Sequence, residues 1–235
     1  MSGIIDSHCH LSKTESFSDV FALSQKNGNS GCVLNSVTES DWNQIVKIAS
    51  DNKNICGAIG IHPWFSDSVP NNWDFNMDAL LRENLSLIVG EIGLDKTRDN
   101  FNVQEKVFIT ALEIAIKHKR TINLHCVHAW DEILKIFKIY KKDLPKIVAH
   151  SFDGTQNAID CDLDLYFSYS PNVANPDYKK VRASVQKVPK NKILVESDSD
   201  VLLPTITALK GVLSLRDDIS ADDIYKNAMG VFYNG

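Results

Sequence analysis

Ile4-Ile5-Asp6-Ser7-His8-Cys9-His10 reads as a short apolar strand that ends in polar ligands. Side chains alternate along a strand, so Asp6, His8 and His10 are expected on one face and Ser7 and Cys9 on the other. Two imidazoles two residues apart at a strand end can grip one divalent ion. A pair of this kind also occurs in ordinary packing, so its meaning depends on how the later strands end.

Working outward, the chain alternates between strand and helix. A weak helix over Asp19 to Lys26 closes at Asn27-Gly28 and leads to an apolar strand over Gly31 to Val37. Ser40 can cap a helix reaching about Asp51, with Ile45, Ile48 and Ala49 on one face. The third strand, Ile55 to His62, is stopped by Pro63, and a short helix covers Asn76 to Asn84. Leu87 to Leu94 is the fourth strand. Asn102 to Lys119 is the clearest helix, with Val107, Ala111, Ile114 and Ala115 forming a stripe. Strands over Thr121 to Val127, Lys146 to Phe152, Leu165 to Ser170 and Ile193 to Asp198 follow. Between them lie helices over Ala129 to Lys142, Thr155 to Cys161 and Asp177 to Val188. Two last helices, near Thr205 to Leu215 and Asp222 to Tyr233, complete the pattern.

Eight strands, each followed by helix, predict a closed (β/α)8 barrel, and the length of 235 residues suits one. The near-continuous apolar strands agree, because strands of such a barrel are buried on both faces. No linker or low-complexity run interrupts the chain, so residues 1–235 are read as a single domain. The alternative is an open doubly wound sheet. Against it, the first strand-to-helix turn carries no glycine-rich phosphate loop.

In such barrels the active site lies at the C-terminal ends of the strands. His8 and His10 end strand one, and His62 ends strand three. Glu91 is late in strand four with Asp95 beyond it. His125 and His150 are late in strands five and six, and Asp198 ends strand eight. Each alone could be a satisfied core polar group, but burying a charge is costly unless it is paired or metal-bound. Together they predict a metal site. Four histidines and two carboxylates exceed the needs of one tetrahedral ion. Two divalent ions sharing Glu91 use these ligands better, and such pairs clamp both the attacking and leaving oxygens of a displacement. The mixed donors suit Zn²⁺, Mn²⁺ or Mg²⁺.

Composition sets bounds. The apolar fraction of 43% is ordinary for a soluble globular protein, and the formal charge of −5 argues against a broad basic surface for wrapping nucleic acid. Five cysteines without framework spacing, and no leader segment, suggest a reducing cytoplasmic or nuclear compartment. No apolar run approaches membrane-spanning length.

These motifs, in order along the whole chain, resemble the TatD family of metal-dependent deoxyribonucleases within the amidohydrolase superfamily. The landmarks are Asp6-Ser7-His8-Cys9-His10, Gly60-Ile61-His62-Pro63, Gly90-Glu91-Ile92-Gly93-Leu94-Asp95 and Gln104. They continue with His125-Cys126, His150-Ser151-Phe152-Asp153-Gly154, Glu196-Ser197-Asp198, Asn227-Ala228 and Phe232. The resemblance implies a barrel that hydrolyses phosphodiesters with divalent metals, often exonucleolytically. It implies that His8, His10 and Asp198 hold one ion, His125 and His150 the other, and that Glu91 bridges them. Asp198 would also orient or deprotonate the attacking water, His62 would sit beside the site near phosphate, and Asp6 and Asp95 would orient ligands.

Three positions depart from the family. Val127 stands where an arginine usual in the family would suit phosphate by its forked donors. Asp200 replaces a usual proline, and Lys96 stands where an aromatic often follows strand four. His128 is the residue that could stand in for the missing arginine. The metal set is intact while the substrate rim is altered.

The leading expectation is a two-metal phosphodiesterase acting on DNA ends or short nucleotides. A hydrolase of small amides or esters is the second, and a non-catalytic protein that keeps the cage while binding a protein partner is the third. The basic clusters Lys117 to Arg120 and Lys135 to Lys142 read as solvated helix faces. Trp64, Phe65 and Trp73 after strand three could stack on a base or pack over the barrel mouth.

Overall fold

The apolar runs become eight parallel strands. The computed structural model describes residues 3–11, 16–200, 202 and 204–233. The strands are β1 (Ile4–His10), β2 (Asn29–Asn35), β3 (Ile55–Ile59), β4 (Ile88–Asp95), β5 (Ile122–Val127), β6 (Ile147–Ala149), β7 (Leu165–Tyr169) and β8 (Ile193–Val195). They form one sheet in the order β1 to β8, each paired in parallel with the next. The helices between them are α1 (Phe17–Lys26), α2 (Trp42–Asp51), α3 (Trp73–Glu83), α4 (Phe101–His118), α5 (Trp130–Tyr140), α6 (Gln156–Ile159) and α7 (Lys179–Val185). Two more, α8 (Thr205–Leu213) and α9 (Ala221–Phe232), follow β8. This is the predicted (β/α)8 barrel, nearly closed.

The seam between β8 and β1 is the thinnest part of the wall. It holds an isolated parallel bridge between Cys9 and Ser199. Asp198 N donates to the His8 carbonyl at 3.0 Å, and His10 N donates to the Ser199 carbonyl at 3.1 Å. The Asp6 carboxylate reinforces it by accepting from Ser197 N at 2.9 Å and from the hydroxyl of Thr205.

The helices bury the faces their periodicity predicts. On α4, Val107, Ala111 and Ala115 are buried and Ile114 is half-buried, with Phe108 and Leu112 buried beside them. Helix α9 starts at a capping box, in which Ser220 and Asp223 each bond the other's backbone N–H. The largest apolar cluster lies between strands and helices, and includes Trp42, Leu94, Phe108, Phe137, Ile193 and Val212. No helix among the described residues is long and apolar enough to cross a membrane.

Simple alternation fails in β1. The register with β2 shifts between Asp6 and Cys9. Ser7 reaches Ser168 on β7, and the next residue, His8, reaches Asn123 on β5, so two consecutive side chains enter the interior. Asp6 bonds Thr205 at the start of α8 instead, and Cys9 joins Phe17 and Phe21 of α1. The expectation that Asp6 shares a face with both histidines is therefore corrected. An irregularity of this kind re-aims side chains at a barrel rim.

Several strands end earlier than expected, and in β3, β6 and β8 this moves a site residue off the strand. β3 stops at Ile59, and His62 instead caps the 3₁₀ turn Pro63–Ser68 by accepting from Trp64 N. Pro63 lacks the N–H a further ladder bond would need. β6 and β8 end at Ala149 and Val195, which leaves His150 and Asp198 just beyond. Ser151 and Asp198 take left-handed backbone, φ 41° and 51°, and this turns the chain sharply at both rim positions.

Candidate metal centre

Glu91, on β4, is the hub. It is 1% exposed, and five imidazoles surround its carboxylate. Oε1 lies 2.6 Å from His125 Nδ1, 2.8 Å from His150 Nε2 and 3.5 Å from His62 Nε2. Oε2 lies 3.3 Å from His8 Nε2 and 3.5 Å from His10 Nε2. Asp198 closes the group, with Oδ1 3.9 Å from both His8 Nε2 and His150 Nδ1. The fold thus brings together His8, His10, His62, Glu91, His125, His150 and Asp198.

The outer nitrogens of the rings are tied down. His8 Nδ1 donates to Asn123 Oδ1 at 3.2 Å, and His10 Nδ1 donates to the Asn35 carbonyl at 3.3 Å. Both Nε2 atoms then present lone pairs, and they lie 3.0 Å apart. Two lone pairs at that distance repel unless a cation or proton lies with them. His125 Nε2 faces Asp95 Oδ2 at 3.4 Å, which leaves Nδ1 for the centre. A carboxylate behind a histidine in this way fixes its tautomer and raises its basicity.

Asp95 is itself held. Its Oδ1 accepts from Thr97 N and Oγ1, and its Oδ2 accepts from Trp64 Nε1 at 2.6 Å. Gln104 clamps its backbone from α4, accepting from Asp95 N at 2.8 Å and donating to its carbonyl at 3.0 Å. Gly93 lets β4 pass close to β5. Its φ is +155°, and a Cβ there would overlap the carbonyl oxygen of His125.

Charge and burial compete throughout. Burial pushes Glu91 up, but His150, His8 and His125 outweigh it and hold the carboxyl well below its ordinary value. Burial pulls His150 and His125 down, and their carboxylate partners outweigh it and raise both. Burial, aided by His8, lowers His10. It lowers His62 to about 3, so that ring is neutral. Burial raises Asp198, yet His150 and His8 leave it lowered. Asp6 is raised to about 7 by burial, against bonds from Thr205, Ser197 and His8.

The donor set fits divalent ions. Glu91 Oε2 and His150 Nδ1 are buried and make no hydrogen bond, which a metal would relieve. Among the described residues four groupings could each hold an ion: His8, His10 and Asp198; His8, Glu91 and His150; His62, Glu91 and His125; and His150, Glu196 and Asp198. The third is the weakest. His62 Nδ1 accepts from Trp64 N at 3.1 Å, so in the neutral ring Nε2 carries the proton and cannot ligate.

Sequence reasoning gave two residues no role in the site. Glu196 is fully buried, accepts from Ser151 N at 2.5 Å and lies 3.6 Å from His150 Nδ1. A carboxylate directly after the apolar run of β8, two residues before Asp198, was the available signal. Asn123 in the middle of β5 is a similar polar break. By contrast His128 does not join the group: it is exposed, with φ 55°. Trp73 is buried core, whereas Trp64 and Phe65 stay at the rim. Lys96 pairs with Glu132 at 2.7 Å.

The model of the TatD related DNase family matches residues 5–211. An uncharacterized metal-dependent hydrolase of Buchnera aphidicola is 30% identical over 88% of this chain and 85% of its own. A 3'-5' ssDNA/RNA exonuclease TatD of Edwardsiella piscicida is 28% identical over 79% of this chain and 74% of its own. The human 3'-5' RNA nuclease TATDN2 is 28% identical over 86% of this chain, which spans only 29% of that protein. The crystal structure of YJJV, a TatD homolog from Escherichia coli, superposes with a TM-score of 0.85 at 22% identity, covering 99% and 98% of the two chains. With the family's pattern running from β1 into α8, this chain belongs to the TatD related DNase family.

Proposed function

We propose that the protein is a divalent-metal-dependent phosphodiesterase that shortens single-stranded DNA or RNA from an end. The observation that carries the reading is one buried carboxylate, Glu91, enclosed by imidazole nitrogens that converge on it. His8, His10 and Asp198 would hold one ion, His125 and His150 a second, and Glu91 would serve both. Bound divalent ions supply Lewis-acid polarisation of the phosphoryl oxygens and a water of lowered pKa.

The chain's own residues do the rest. The Asp198 side chain is a third exposed, so its carboxylate can meet water at the mouth and take a proton from it. The neutral His62 keeps its proton on Nε2 and can donate it to a phosphoryl oxygen. Asp95 and Asn123 hold His125 and His8 in the tautomers that face the centre. Relatives named as ssDNA/RNA exonucleases and an RNA nuclease support the choice of substrate.

The test is an activity panel with purified protein. Single-stranded DNA, duplex DNA, RNA and small amides are each offered with Mg²⁺, Mn²⁺ and Zn²⁺. Stepwise loss of nucleotides from single strands is expected. Hydrolysis of amides alone would replace this reading with an amidohydrolase. Inactivity on everything would leave a protein that keeps the cage and binds a partner.

A further inference from the structure

Val127, at the end of β5, offers no donor to a phosphate. The segment that follows β4 rises directly beside it: Asp95 pairs with Val127 in register, and Lys96 N donates to the Val127 carbonyl at 3.0 Å. Three residues past Asp95 stands Arg98. Its guanidinium carbon lies 4.2 Å from the centroid of the Trp64 ring. It makes no hydrogen bond or ion pair with any described residue. Stacking therefore holds a planar fork in place while its five N–H donors stay unspent.

Trp64 is fixed in turn. Its indole N–H donates to Asp95, and its ring meets His62 edge to face at 5.0 Å. Trp64 and Phe65 are 47% and 39% exposed. With Arg98, Asp67, Asp99 and Asn100 they line a groove of about 430 Å³.

We propose that this groove seats the strand next to the hydrolysed bond, with Arg98 gripping one backbone phosphate and Trp64 and Phe65 receiving a base. The proposal rests on the nuclease reading above and names where its substrate lies. The separations of 4.2 and 5.0 Å keep Arg98 close to His62. The gripped phosphate is therefore within a few nucleotides of the centre. Asp67 and Asp99 repel phosphate from the rest of the groove, so the backbone turns toward Arg98. The bases, with their amino donors, turn toward the carboxylates. Base-on-aromatic stacking tolerates any sequence, as an enzyme working along a strand requires.

The experiment is fluorescence anisotropy of a dye-labelled phosphorothioate hexanucleotide on the Mg²⁺-loaded protein, repeated across salt. Arg98→Gln is expected to weaken binding about tenfold and to reduce the slope of log K against log salt by about 0.7, one phosphate of a single strand. Arg98→Lys keeps the slope and recovers only part of the affinity, because it has the charge without the fork. Arg98 is exposed and makes no polar contact with a described residue, so both variants retain the fold. A wild-type slope in Arg98→Gln, with wild-type protein binding the strand, overturns the groove and leaves the nuclease reading standing. Wild-type protein that ignores all single strands, yet hydrolyses bis(p-nitrophenyl) phosphate, overturns both.

Discussion

The side-chain oxygen of Asn123 accepts from Nδ1 of His8 at 3.2 Å, while its amide nitrogen donates to the carbonyl of Ser7 at 2.9 Å. One buried amide on β5 thereby sets the tautomer of a candidate ligand and the backbone just before it. The contact crosses the barrel interior, because β5 is not a neighbour of β1 in the sheet.

Asn123→Leu keeps the branched outline of the side chain, at a larger volume, and removes both bonds. Metal affinity is expected to fall by about 10- to 100-fold, as when other residues behind metal ligands are lost. The unpaired Ser7 carbonyl costs about 1–3 kcal/mol of stability. Calorimetric metal titration and chemical denaturation measure the two effects separately. Unchanged metal affinity would mean that His8 is held by something else or does not ligate.

Glu91→Gln should weaken metal binding more broadly than His10→Ala. The carboxylate touches all five imidazoles, whereas His10 occupies one side of the group. The amide removes the negative charge at the hub. Stoichiometry is the decisive reading: the glutamine variant retaining two ions at wild-type affinity would remove Glu91 from the shared position.

Asp198→Asn is expected to abolish hydrolysis, by at least about 100-fold in kcat, with little change in melting temperature. The amide is nearly isosteric but cannot accept a proton from water. Metal content must be measured beside turnover, since Asn is also a poorer ligand. Cleavage equal to wild type on the same strand would show that Asp198 has no part in the chemistry.

Gly93→Ala should be among the most damaging small substitutions in the chain. A methyl there meets the backbone of His125, and φ +155° is strained for any L side chain. A loss of about 3 kcal/mol or more is expected. Equilibrium unfolding of the variant tests it, and near-wild-type stability would show that β4 and β5 can separate without harm.

Asp153 gives a pH signature away from the ligands. Burial pushes its carboxyl up, but Lys180 and Thr155 outweigh burial and leave it lowered. A depressed carboxylate stabilises the fold above its unfolded value, near 3.9, and that stability is lost as pH falls through the folded value. Lys180 pairs at 2.8 Å but is 60% exposed, so solvent screening keeps the contribution below about 1 kcal/mol. Asp153→Asn should therefore lower stability at pH 7 and flatten its decline below pH ~4. Parallel curves for the two proteins would exclude the pair.

The strands were legible because burial on both faces leaves them almost wholly apolar, and the site was legible because its polar residues interrupt those runs at their ends. What hid was direction. Periodicity places Asp6 with His8, but the irregular register of β1 sends Asp6 to Thr205 and Ser7 inward. Glu196 lies in a landmark motif but was given no role there, Asn123 carries no motif at all, and what both do depends on contacts across the barrel. His62 depends on a 3₁₀ turn that begins at Pro63, and His150 and Asp198 lie just past their strands, where left-handed turns follow no period-two rule.

The weak seam of the barrel has a kinetic meaning. His8 and His10 stand on one lip of it and Asp198 on the other. A cation shared by these three would span the gap and tie the first strand to the last, as a clasp joins the ends of a bracelet. Breathing of the seam would then set the residence time of that ion, more than the lability of any single nitrogen–metal bond. Amide hydrogen exchange at His10 and Asp198 should slow on loading and keep pace with ion release.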